Sequence, residues 1–141
     1  MCISEVIPGS PALIMKNVNW TDMCVFTGID INDSFVLTWE LMNSKLQFNL
    51  EVSVWPSSKY YNEPKSNNYT CYRSAILVFE NVVSIDGLQN MASVRSVTDA
   101  SGTTDYGNID TLVKTEVGFL IEGSFGSVRI EGGELKIEIH A

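Results

Sequence analysis

Apolar and polar residues alternate without interruption from Lys45 to Trp55. Leu46, Phe48, Leu50, Val52 and Val54 fall on one parity, and Lys45, Gln47, Asn49, Glu51 and Ser53 on the other. A strand sends successive side chains to opposite faces, so a period of two over this length predicts a half-buried β-strand. Just upstream, Phe35, Leu37, Trp39 and Leu41 alternate with Ser34, Thr38 and Glu40, and Asn43-Ser44 between the two runs has turn composition. Together they predict a β-hairpin whose apolar residues share one side.

The same reading extends along the chain. Pro56 to Asn68 collects Pro, Ser, Asn, Lys and Tyr without periodicity and predicts a long irregular loop. Tyr69 to Phe79 is strand-like, and the continuous run Ala75 to Phe79 predicts a central strand covered on both faces. A break at Gly87-Leu88 precedes a short strand expected over Ala92 to Val97 and a surface loop over Asp99 to Asn108. Strands are expected again at Ile109 to Lys114 and Val117 to Glu122. At the C-terminal end, Val128 and Ile130 lead into Gly132-Gly133, and Leu135, Ile137 and Ile139 follow. Two glycines suit a type I′ turn, which predicts a hairpin pairing Ile130 with Leu135 and Val128 with Ile137.

Helical periodicity is nearly absent. Only Asn17 to Phe26 offers a turn or two, with Asn19 or Thr21 as the cap. The pattern therefore predicts one all-β domain over residues 1–141, an antiparallel β-sandwich or rolled sheet with at most one short helix. Residues 1–27 are expected to be irregular or partly helical.

Composition narrows the class. The chain has 141 residues, 45% hydrophobic and 18% charged, a balance that suits one core and excludes a disordered segment. No apolar run approaches the roughly 20 residues a membrane helix needs. The start, Met1-Cys2-Ile3-Ser4-Glu5-Val6, lacks the basic residues of a secretory signal, so a cytoplasmic protein is expected. Cys2, Cys24 and Cys71 form no Cys-x-x-Cys pair and are read as reduced thiols. Seventeen acids against nine Lys and Arg leave a net charge of −8. That charge disfavours nucleic acid and anionic membrane as partners and favours a basic protein.

No catalytic signature emerges. His140 is the one histidine and lies at the chain end, so a Ser-His or Cys-His pair has no well-held base. Asp30 with Asp33, and Asp99 with Asp105, lie in turn-like sequence but match no calcium loop; Asp33 reads as a turn residue bonding local backbone. Gly123-Ser124-Phe125-Gly126 lacks the Lys-Ser/Thr of a phosphate loop and reads as a turn. No cofactor and no metal site is expected. Trp39 is in phase with the buried stripe and reads as core, whereas Trp55, Tyr60 and Tyr61 stand out of phase, at a strand end and in the adjoining loop. They are the candidate binding residues, as stacking platforms or anchors for a partner.

Asn32-Asp33-Ser34, followed by two alternating strands, a long polar loop and Leu77-Val78-Phe79-Glu80-Asn81-Val82, resembles a group of small β-rich bacterial proteins. Some of these are similar to immunity proteins of polymorphic toxin systems. Those sequences often have His where this chain has Asn32. The resemblance spans Asp30 to Ile130 and implies a non-catalytic module that occludes a toxin's active site. Two other classes stay open: a small-ligand or carbohydrate-binding β domain using Trp55, Tyr60 and Tyr61, and a hydrolase working with carboxylates alone.

Overall fold

The hairpin around Asn43-Ser44 is present: β2 (Ile29–Met42) and β3 (Lys45–Val54) are antiparallel, with Met42 opposite Lys45 and Trp39 opposite Phe48. Asn43 turns the chain at φ 54°, a left-handed conformation that asparagine tolerates. These strands belong to a computed structural model that describes residues 17–61, 71–100 and 102–140. The remaining strands are β1 (Val18–Asn19), β4 (Cys71–Asp86), β5 (Val97–Thr98), β6 (Thr104–Asp105), β7 (Ile109–Lys114), β8 (Gly118–Gly123) and β9 (Gly126–His140). Seven of them form one antiparallel sheet in the order β1-β7-β8-β9-β4-β3-β2, and β5 and β6 make a small separate ribbon. The protein is all-β.

The sheet is rolled rather than split into a sandwich. β2, at one end of the strand order, meets the segment leading into β7 near the other end. Phe35 bridges Asn108, the Val36 amide donates to the Gly107 carbonyl at 2.9 Å, and the Tyr106 amide donates to the Val36 carbonyl at 2.8 Å. Rolling a sheet removes exposed edges and encloses one face. The alternating residues of β3 supply that face: Leu46, Phe48, Leu50, Val52 and Val54 are all buried. Phe48 meets Phe125 at 4.9 Å and Phe79 at 6.3 Å between ring centroids, and Phe79 meets Phe119 at 5.2 Å. The interior is thus filled by interlocking rings.

Several expectations need correction. Gly132 and Gly133 are not a hairpin turn. β9 runs through them, and Ile130 pairs with Phe119 and Ile85 while Leu135 pairs with Phe79. Their φ values of 73° and 91° serve a β-bulge instead. Opposite them, β4 slips register between Val82 and Ser84 and Asn81 adopts φ 57°. The turn lies earlier, at Ser124-Phe125 between the paired Gly123 and Gly126. β4 is central in the sheet as expected but is not equally covered on both faces: Ala75, Leu77 and Phe79 are buried, whereas Ile76 and Val78 are only half-buried on the outside. Met91–Ser93 forms a 3-10 turn rather than a strand, with the Ala92 amide on Asn90 Oδ1, and pairing begins only at Val97.

β2 also departs from simple alternation. Register shifts before Phe35 and before Thr38 put Val36 and Trp39 in the core, leave Phe35 and Leu37 half-buried, and expose Leu41. The segment from Asn17 to Phe26 is a two-residue strand, β1, and two 3-10 turns at Trp20–Asp22 and Cys24–Phe26. Asn19 precedes the first turn without a capping bond; its amide donates to Thr21 Oγ1 at 2.9 Å. Residues 1–16 of the stretch expected to be irregular lie outside the described residues. Trp20, Met23 and Phe26 are buried and extend the core past β7 toward β9. Among the described residues no helix is long and apolar enough to cross a membrane.

Candidate functional site

The Asn32-Asp33-Ser34 motif forms a wide bulge on β2. From Asp30 to Phe35 the strand advances five residues while β3 advances two, from Ser53 to Glu51. Asp30 organises the excess: its Oδ1 accepts from the Asp33 amide at 3.1 Å and its carbonyl accepts from Ser34 Oγ at 2.6 Å. The turn-forming carboxylate is therefore Asp30, where the sequence pointed to Asp33. Ser34 is buried, and its Oγ accepts from the Ser53 amide at 3.0 Å. Asn32 reaches the other way, donating to the carbonyls of Ile109 at 2.9 Å and Asp110 at 3.2 Å and accepting from the Trp20 indole at 3.2 Å. Asn108 donates to the Ser34 carbonyl at 2.9 Å. The motif closes the roll.

The bulge also sets what lies on the outer face beside it. Phe35 and Glu51 are directly opposed, and the Phe35 ring packs at a 53° tilt against Tyr72 of β4, with centroids 5.7 Å apart. The Tyr72 hydroxyl donates to Asp33 Oδ2 at 3.4 Å. The β5–β6 ribbon brings two further carboxylates. Asp99 is steadied by the Thr103 amide at 3.0 Å and Asp105 by the Gly107 amide at 2.8 Å. Both act on Glu51: partial burial pushes its carboxyl above the usual range, and the negative charges of Asp99 and Asp105 push it further the same way. Acids remote in sequence thus converge beside a pair of half-exposed aromatic rings.

Among the described residues no three His, Cys, Asp or Glu side chains could hold a metal ion together, so the convergence of Glu51, Asp99 and Asp105 is not a chelate. Raised by burial and by its acidic neighbours, the Glu51 carboxyl holds a proton more tightly than an isolated glutamate does. Here it sits on the outside of a rolled sheet, which offers a broad contact face and does not wrap a small substrate.

The residues singled out from sequence separate. Trp55 is 43% exposed, continues the outer parity of Glu51 and Ser53, and is anchored by its amide to the Gly28 carbonyl at 2.9 Å. Tyr60 and Tyr61 are half-buried and pack against the core, and the Tyr60 carbonyl accepts from Arg73 Nε at 3.0 Å. Lys59 lies 5.2 Å above the Tyr60 ring. Trp39 is core as expected, its indole donating to the Gln89 carbonyl at 2.9 Å. His140 lies opposite Ser74, with its Nε2 3.1 Å from Glu138. Cys71 is buried and Cys24 half-buried; Cys2 lies outside the described residues. Tyr72 was one of the aromatics the sequence offered as a candidate, whereas Phe35 and Glu51 were not singled out as site residues. The one signal that pointed near them was the Asn32-Asp33-Ser34 motif.

Compared with protein-family models, with curated proteins and with solved structures, the chain gives no match.

Proposed function

We propose that the protein is a non-catalytic, immunity-type binding module that covers a basic protein partner with the outer face around the β2 bulge. The observation that carries this reading is the convergence of Asp99 and Asp105 on half-buried Glu51. Holding like charges together costs free energy in the isolated protein, and a cationic partner recovers that cost on binding. The net charge of −8 adds long-range steering of a basic partner in the same sense. Phe35 and Tyr72 supply the apolar anchor that a charged rim alone lacks. A filled interior favours this use of the outer surface over a ligand enclosed within the roll.

The test is co-expression with the product of the reading frame beside this gene, scoring survival of the host. Wild type is expected to protect, and a variant carrying Glu51→Gln, Asp99→Asn and Asp105→Asn is expected to protect poorly while remaining folded. Equal protection by both would remove the acidic face from the interaction, and no protection by either would remove the immunity reading.

A further inference from the structure

Among the described residues, β9 has an open edge over its second half. On one side, Glu134 to His140 pair with Glu80 to Ser74 of β4. On the other side β8 stops at Gly118, opposite Glu131, and among the described residues no strand continues the ladder. Where a neighbouring strand would begin there is a hollow of about 440 Å³ between Met23 and Val25 on one wall and Glu134 and Leu135 on the other. The turn carrying Met23 and Phe26 fills space with side chains but does not pair with β9. An extended edge of this kind is a template for another strand.

We propose that this edge pairs with the same edge of a second copy, antiparallel and two-fold about Ile137. The segment reads Glu134-Leu135-Lys136-Ile137-Glu138-Ile139-His140. About that axis, Lys136 of each copy opposes Glu138 of the other, Glu134 opposes His140, Leu135 opposes Ile139, and Ile137 meets itself. Every opposed pair shares parity, so outward-pointing amides meet outward-pointing carbonyls and the faces of the two sheets stay aligned. Moving the axis to Lys136 or to Glu138 sets like charges against each other. Edge charges guard a monomer when they repel their own copy; in this register they attract. The half-buried row Leu135, Ile137 and Ile139 gains cover from its counterpart. The in-chain contacts of Lys136 with Glu80 at 2.7 Å and of His140 with Glu138 at 3.1 Å are exposed, and such pairs do not hold a side chain against a second partner.

Sedimentation equilibrium of the full chain tests the register. Wild type is expected to show a reversible monomer–dimer equilibrium. Lys136→Glu alone sets Glu against Glu twice per dimer, and Glu138→Lys alone sets Lys against Lys. Each should raise the dimer Kd about tenfold, from two cross-strand pairs turned repulsive. An equimolar mixture of the two variants restores both attractions and should form a heterodimer near wild-type affinity, a rescue that misfolding cannot produce. A wild type that stays monomeric at up to about 1 mM overturns the proposal, since that limit leaves under about 4 kcal/mol of association. Variants that dimerise like wild type, or a mixture no tighter than its parents, overturn it as well.

Discussion

The side-chain amide of Asn32 donates to the Ile109 carbonyl at 2.9 Å, joining residues 77 positions apart. Since Asn32 Oδ1 also accepts from the Trp20 indole, one side chain ties the N-terminal turns, the β2 bulge and β7 together. Asn32 is thus one of the clamps that close the roll, beside the Phe35–Asn108 bridge and the Val36 backbone bonds, and its share is testable. Asn32→Ala removes the side-chain bonds and is expected to cost about 1–3 kcal/mol in urea unfolding, because the carbonyl and indole left behind are partly buried. A loss of under about 0.5 kcal/mol, the range of an ordinary surface change, would show that the roll closes without this clamp.

Trp39 and Trp55 should behave oppositely. The Trp39 ring contacts Tyr106 at 5.0 Å and Phe125 at 5.9 Å, and Trp39→Ala is expected to cost about 3–5 kcal/mol. Trp55→Ala should cost under about 1 kcal/mol, since nearly half of the residue is already exposed to water. Tyr60→Ala should fall between them, near 1–2 kcal/mol or about half the loss for a fully buried side chain. Thermal melts of the three variants give the order directly; Tyr60 matching Trp39 would make the loop a full part of the core.

How far these contacts were legible depends on how local their causes are. The alternation that predicts a strand at Lys45 to Trp55 survives because every even residue of β3 is buried while the odd ones are only half-buried, except Ser53, which lies buried under the bulge with its amide on Ser34 Oγ. Gly132-Gly133 misled for a physical reason: a type I′ turn and a bulge both demand positive φ, and only the slip in β4 opposite, around Asn81, decides between them. Leu41 shares the parity of Trp39, yet it lies near the hairpin tip and is exposed. The candidate site was the least legible part. Glu51 meets Asp99 and Asp105 only through the rolling of the sheet, so no spacing in the chain marks the group.

Glu51 makes a pH prediction. Its carboxyl is raised in the folded protein, so the native state binds that proton more tightly than the unfolded chain does. Its contribution favours folding at low pH and turns unfavourable as pH rises from the ordinary value of 4.5 through the raised one. Glu51→Gln should therefore raise stability at pH 7, by under about 1 kcal/mol after solvent screening, and give no gain at pH 4. Melts at the two pH values check this; a variant less stable at pH 7 would mean that the carboxylate is stabilised by a partner.

The most direct test of the proposed function is the association rate with the product of the reading frame beside this gene, measured by stopped flow across a range of salt. An acidic face steering a basic protein predicts a rate that falls steeply as salt rises. The variant carrying Glu51→Gln, Asp99→Asn and Asp105→Asn should start about tenfold slower at low salt and show a shallower dependence, by loss of electrostatic steering. Matching rates and slopes for the two proteins would contradict the account and place the contact elsewhere on the molecule.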